Sequence, residues 1–147
     1  MKVICVTGTP GAGKTTLSKK LAKQLDFSYI DVNAMIEKQK MEEGVDKQRD
    51  AKIVDPSKLT MALSRAIGKG RKKNGVIIDS HMSHYLPKEK VDFVIVCKCD
   101  LVELKKRLEK KGYEKDKIQE NMDAEIFDVC YNEAKEIGHK IVTYRGG

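Results

Sequence analysis

Aromatic residues are scarce: this chain of 147 residues has five Tyr, three Phe and no Trp. They do not interleave with its basic runs, so a platform that stacks successive bases of a single strand is poorly supported. No apolar run approaches the ~20 residues of a membrane span. Met1 to Thr7 leads directly into a strand-like segment and carries neither the h-region nor the cleavage site of a signal peptide. Membrane, collagen-like and wholly disordered classes are excluded on these grounds, and a cytoplasmic protein without a membrane partner is expected. The four cysteines, Cys5, Cys97, Cys99 and Cys130, contain no C-x-x-C pair. A disulfide framework is not expected without a secretory signal; buried, reduced thiols are. Cys97-Lys98-Cys99 lacks the second Cys or His pair that a zinc site needs. Proline is limited to three residues, and no Ser/Pro-rich linker, internal repeat or low-complexity tract divides the chain. A single domain over residues 1–147 follows.

Charge is abundant instead. Charged residues make up 35%, with 29 Lys and Arg against 22 Asp and Glu, for a net charge of +7. The excess suits a ribonucleoprotein setting. It equally suits a soluble thermophile-like protein rich in Lys and Glu. Apolar residues at 40% suffice for a core, since a chain of this size hides roughly two-thirds of its unfolded surface.

Strand and helix patterns alternate along the chain, which predicts an α/β fold: a five-stranded parallel sheet with helices on both faces. The strands read as Val3 to Thr7, Ser28 to Val32, Gly75 to Asp79, Phe93 to Cys97 and Lys140 to Tyr144. Continuous apolar runs such as Val76-Ile77-Ile78 are those of strands covered on both sides. Gly13 to Leu25 reads as a helix with Leu17, Leu21 and Leu25 on one stripe. A second begins at Pro56, capped by Asp55, and buries Leu59, Leu63, Ala66 and Ile67. A third follows Asp100 as cap, with Glu103 three residues on, and Gly112 breaks it. Lys115 to Ile137 reads as the longest helix, striped by Ile118, Met122, Ile126, Val129 and Ile137. Asn33 to Asp55 is polar and poor in large apolar residues; a small helical insert and a plain surface loop fit it equally.

Gly8-Thr9-Pro10-Gly11-Ala12-Gly13-Lys14-Thr15 matches G-x-x-x-x-G-K-[ST] at every constrained position. A chance match in a chain this long is on the order of 1% or less. Its place between a strand and a helix strengthens it. Glycines let backbone N–H groups curl around a phosphate, and the helix that follows aims its positive end there. The loop is therefore expected to hold a nucleotide, with Lys14 on the β- and γ-phosphates and Thr15 on Mg²⁺. Asp79 ends a buried strand at the sheet edge where such folds bind ligands, and it is the expected partner of Mg²⁺ or its water. His81, two residues on, is placed to orient a water or phosphate. His84 completes an H-x-x-H pair, but no further ligand cluster supports zinc.

Arg107 and Lys111 stand four apart on one helix face before Gly112. That suits a short lid over residues 108–117, one cation stacking on the base and the other meeting a phosphate. A solvated basic face formed by Lys105, Lys106, Arg107, Lys110 and Lys111 is the plainer alternative.

Several of these residues resemble one family. They are Thr7 to Leu17, Tyr29-Ile30, Ile78-Asp79-Ser80-His81, and the stretch Arg107-Leu108, Gly112-Tyr113, Lys117-Ile118, Glu120-Asn121 and Ala124-Glu125-Ile126-Phe127. The chain is similar along nearly its whole length to the atypical adenylate kinases of the isoenzyme-six type, also called coilin-interacting nuclear ATPases. The resemblance implies a nucleoside-monophosphate-kinase fold with a short lid and a monophosphate-binding insert at 33–55. It implies adenylate kinase and ATPase activity with ATP and Mg²⁺. It also implies a part in small ribosomal subunit maturation, with a platform ribosomal protein and precursor rRNA as partners. By the same resemblance Gly11, Ala12, Gly13, Lys14, Thr15 and Thr16 would bind ATP, Arg107 would contact adenine, and Asp79 with His81 would form the Walker B-like motif. Three features depart from the family. Lys111-Gly112-Tyr113 stands for R-G-Y, Glu37 takes the place of an arginine, and Ser80 to Tyr85 has none.

The reading these features favour is an ATP- and Mg²⁺-binding enzyme that passes the γ-phosphoryl to AMP weakly and to water measurably. The alternatives are an ordinary monophosphate or metabolite kinase without a ribosomal role, and a non-catalytic RNA- or protein-binding module.

Overall fold

Val3–Val6, Val76–Ile78 and Val94–Val96 are dominated by β-branched residues, and each lies in a strand whose side chains are buried on both faces. The structure is a computed structural model and describes residues 2–39, 42–46, 51–54, 56–69 and 73–145. Strands β1 (Lys2–Thr7), β2 (Ser28–Asp31), β5 (Gly75–Asp79), β6 (Phe93–Lys98) and β7 (Ile141–Arg145) form one parallel sheet in the order β2-β5-β1-β6-β7. This is the predicted five-stranded architecture. Between β2 and β5 lie helix α2 (Val32–Gln39), strands β3 (Glu42–Asp46) and β4 (Ala51–Val54), and helix α3 (Pro56–Lys69). The remaining helices are α1 (Lys14–Leu25), α4 (Leu101–Lys110), α5 (Lys115–Ile126) and α6 (Val129–Ile137).

Helix α1 covers one face of the sheet, where Leu17 and Ala22 pack on Ile4, Val6, Ile77 and Ile95. Ile36 of α2, Leu59 and Leu63 of α3, and Ala134 of α6 cover the other, on Val3, Cys5, Val76, Ile78, Val94 and Val96. A third cluster, Ala12 with Cys99, Leu104 and Leu108, props the loop after β1 against α4. All four thiols are free, three buried and Cys130 half-buried. Burial pushes the Cys97 thiol up to about 11, so it stays protonated near neutrality. Among the described residues no helix is long and apolar enough to cross a membrane.

Three expectations change, and a fourth falls outside the described residues. The 33–55 insert is neither wholly helical nor a plain loop: α2 is followed by an antiparallel pair, β3 with β4. Asp55, the expected cap of α3, lies outside the described residues. Asp100 does stand at the N-cap of α4 but makes no side-chain cap bond, and Glu103 pairs with Arg107 instead. The long helix from Lys115 is two helices. Asp128 takes a left-handed conformation with φ of 52°, and the Lys98 amine from the end of β6 bonds the Glu125 carbonyl at 3.0 Å. A cation at a helix C-terminus satisfies an orphan carbonyl and the helix dipole together. The expected stripe changes with the break: Ile126 and Val129 are exposed, while α5 buries Lys117, Asn121 and Glu125.

Candidate active site

β1 ends at Thr7 and the chain turns through the glycine loop into α1 at the C-terminal edge of the parallel sheet. Gly8 has a φ of 150°, and a Cβ there would sit 2.5 Å from the Cys97 carbonyl oxygen. Only glycine lets the loop lie this close to β6. Gly13, with φ of 96°, is the N-cap of α1. The Ala12 N–H donates to the Thr9 carbonyl at 3.0 Å, which closes the inner turn. The Lys14 amine donates to that same carbonyl at 3.1 Å. Burial lowers the Lys14 pKa, and the Asp79 charge opposes part of that shift.

Asp79, almost fully buried at the end of β5, lies beside the first turn of α1. The Thr15 hydroxyl donates to Asp79 Oδ2 at 2.8 Å. The Tyr29 hydroxyl, from β2, donates to the same oxygen at 2.7 Å. Burial, with the Asp79 carboxylate beside it, raises the Tyr29 pKa, so this phenol stays a donor. A hydroxyl and a carboxylate are hard oxygen donors of the kind Mg²⁺ takes, and here they already touch. Thr15 and Asp79 thus fit the ion in donor type and placement.

Arg107 lies across the loop. Its Nη1 donates to the Gly11 carbonyl at 3.1 Å and its Nε bonds Glu103 at 3.2 Å. Lys111 caps α4, and its charge reaches Lys14, where it lowers the pKa further. Gly112, with φ of 81°, turns the chain into α5. The structure thus brings Lys14, Thr15, Asp79, Arg107 and Lys111 to one edge of the sheet. Thr16 is exposed in the first turn of α1, and His81 is half-buried in the turn after β5.

The H-x-x-H pair is not a metal site. His84 is fully buried, with Nδ1 paired to the Thr7 hydroxyl at 2.8 Å and Nε2 to Glu133 at 3.2 Å. Among the described residues no group of three or more His, Cys, Asp or Glu side chains could hold a metal. In the insert expected to bind the monophosphate, where Lys38, Lys40 and Arg49 are the cations that could stand in for the missing arginines, Lys38 is exposed on α2. Lys40, Arg49 and the side chain of Glu37 lie outside the described residues.

Two contributors escape a reading for chemistry along the chain. Tyr29 looks like an ordinary strand aromatic, and only β2-β5 pairing, with Asp31 opposite Asp79, brings it to the site. Glu125 looks like a surface position beside an apolar stripe, but its carboxylate meets Thr9 of the loop at 3.3 Å. The one local signal for either was membership of the segments that carry the family resemblance.

The fold and the loop together define a P-loop nucleotide-binding domain of the nucleoside-monophosphate-kinase type. A solved shikimate kinase from Acinetobacter baumannii, in complex with shikimate, superposes with a TM-score of 0.67 over 100% of this chain and 86% of its own. At 16% identity that likeness concerns the fold. The AAA domain family model matches residues 4–128. A Methanocaldococcus jannaschii protein named "Putative adenylate kinase" is 39% identical over 140 residues, 95% of this chain and 76% of the relative. The "Adenylate kinase isoenzyme 6 homolog" of Caenorhabditis elegans is 33% identical, covering 90% of this chain and 72% of the relative. The chain belongs to this adenylate kinase family, within the P-loop nucleoside-monophosphate kinases.

Proposed function

We propose that this protein is an atypical adenylate kinase that transfers the γ-phosphoryl of MgATP to AMP and, without an acceptor, to water. The observation that carries the proposal is the 2.8 Å bond between Thr15 and Asp79 beside Lys14. It joins the loop hydroxyl to the strand-end acid across 64 residues of sequence, as magnesium-dependent phosphoryl transfer requires. The names of the relatives support the choice of AMP.

The loop amides and the N-terminus of α1 bind the phosphates. Lys14 leaves the Thr9 carbonyl and bridges the β- and γ-phosphates, where charge develops. Thr15 and Asp79 would hold Mg²⁺, whose charge would offset that of the phosphate oxygens. Arg107, already over the loop, stacks on adenine, and Lys111 meets a phosphate from the 108–117 lid. His81 orients the attacking water or acceptor phosphate. The segment 33–55, with α2 and its hairpin, binds the monophosphate. A role in small-subunit maturation in the cytoplasm, with a platform ribosomal protein and precursor rRNA, rests on the family resemblance and the +7 charge.

The test is labelled ATP with and without AMP, resolving ADP from free phosphate, on the parent and a Lys14→Ala variant. ADP formation from AMP that vanishes in the variant supports the proposal. A parent that binds MgATP but turns over neither acceptor sinks it and leaves the non-catalytic module.

A further inference from the structure

Helix α5 buries its polar side. Lys117, Asn121 and Glu125, spaced four apart, are about 3–6% exposed, while Ile126 one position on is 52% exposed. Ile118 and Met122 pack on Leu104 and Leu108, but a helix that also hides charge and shows isoleucine is placed by more than apolar burial. For Glu125 the partners explain the placement. Its Oε1 accepts from the Lys98 amine at 2.6 Å and from the Thr9 hydroxyl at 3.3 Å. Its Oε2 accepts from the Cys99 backbone N–H at 2.8 Å. Lys98 is locked in turn, because it also pairs with Asp128 and caps α5 at the Glu125 carbonyl. Burial alone would lower the Lys98 pKa, but the two carboxylates outweigh it and hold the amine charged.

We propose that Glu125 is a positioning residue of the phosphate loop, anchored to the end of β6 and gripping Thr9 from α5. A buried ion pair is a weak source of stability, so its packing alone does not account for it. Its reach does. Thr9 is buried, and its carbonyl receives both the Ala12 N–H and the resting Lys14 amine. By holding the Thr9 side chain, Glu125 holds that carbonyl, and with it the curl of the loop before any phosphate arrives. A loop shaped beforehand loses less freedom on binding, so affinity for the nucleotide rises. The inference rests on the phosphate-loop reading above, but not on the identity of the acceptor.

The experiment measures MgADP binding by titration calorimetry, alongside thermal unfolding, for the parent, Thr9→Val, Thr9→Ser, Glu125→Gln and the Thr9→Val/Glu125→Gln pair. Thr9→Val keeps the shape and removes the donor. Its dissociation constant should rise about three- to tenfold, the effect of one hydrogen bond, with an almost unchanged melting temperature. Thr9→Ser should restore the parent affinity. The double variant should bind no more weakly than Glu125→Gln. If Glu125→Gln fails to fold, the two Thr9 variants decide alone. Parent-like affinity in Thr9→Val, or failure of serine to restore it, overturns the proposal. So does a folded Glu125→Gln that only melts earlier. Because ADP binding needs no acceptor, a protein that binds ADP in this Glu125-dependent way yet never phosphorylates AMP would refute the adenylate kinase reading and keep this one.

Discussion

One oxygen of Asp79 serves two hydroxyls, Thr15 at 2.8 Å and Tyr29 at 2.7 Å. Replacing the charge and trimming a donor therefore have different consequences. Asp79→Asn would leave a neutral amide as the proposed metal partner, and a hard cation binds that poorly. Turnover at saturating Mg²⁺ should fall at least tenfold, with nucleotide affinity less affected. Tyr29→Phe keeps the charge and frees the carboxylate to rotate. It should raise the Mg²⁺ concentration for half-maximal rate a few-fold and spare the rate at saturation. Rates measured across a Mg²⁺ series separate the two, and equal effects would show that Tyr29 does more than hold Asp79. His84 makes a prediction about stability. Burial lowers its pKa despite the neighbouring Glu133. The unfolded chain thus binds a proton more readily than the folded one below the ordinary histidine value near 6.5. Stability contributed here is complete above that pH and declines as pH falls beneath it, by at most about 1.4 kcal/mol per unit. Denaturant unfolding at pH 7.5 and 5.5 should show a steeper loss in the parent than in His84→Gln.

The elements divide by how locally their causes act. β1, β5, β6 and β7 were legible because each is a short run rich in β-branched residues, and the loop because its constrained positions all fall between Gly8 and Thr15. The break between α5 and α6 was not, since its cause, Lys98, lies 27 residues upstream of the carbonyl it caps. Nor was Tyr29, 50 residues from Asp79, or Glu125, 116 from Thr9. Periodicity finds an apolar stripe, but it cannot report that α5 turns its polar side inward. The β3-β4 pair went unread because Glu42–Asp46 is mostly polar with a glycine and Ala51–Val54 is only four residues long. Two glycines show the same contrast between close and open surroundings. Gly68 in α3 has no neighbour within 4 Å of a Cβ, and Gly68→Ala should add about 0.5–1 kcal/mol to unfolding. Gly8→Ala pushes a methyl into the Cys97 carbonyl at 2.5 Å, so β1 and β6 must part. It should cost about 2–4 kcal/mol and abolish nucleotide binding. Denaturant midpoints for the pair check both signs.

For the whole molecule, the question is how well the two substrate sides are built. The donor side is anchored at several points: Gly8 against β6, Arg107 on the Gly11 carbonyl, Glu125 on Thr9, and Ala12 packed with Leu104 and Leu108. The proposed acceptor side, the 33–55 insert, is anchored differently. Val32 and Ile36 fix α2 to the core, but the chain then leaves the main sheet for the separate β3-β4 pair, and a two-stranded hairpin is marginally stable by itself. A kinase must hold its acceptor in line and keep water out. In the proposed reading the group that would meet the transferring phosphoryl from the lid is Lys111, a point charge rather than a fork. We therefore expect ordinary affinity for ATP, a high Michaelis constant for AMP, and hydrolysis that persists without acceptor. Lys111→Arg should raise the rate of transfer more than it raises ATP affinity, because a bidentate grip on the phosphoryl group strengthens in the transition state. The ratio of ADP made from AMP to phosphate released, in the parent and in Lys111→Arg, measures this directly. A parent that phosphorylates AMP at ordinary kinase rates with negligible hydrolysis would show that the hairpin side excludes water as well as the donor side holds ATP.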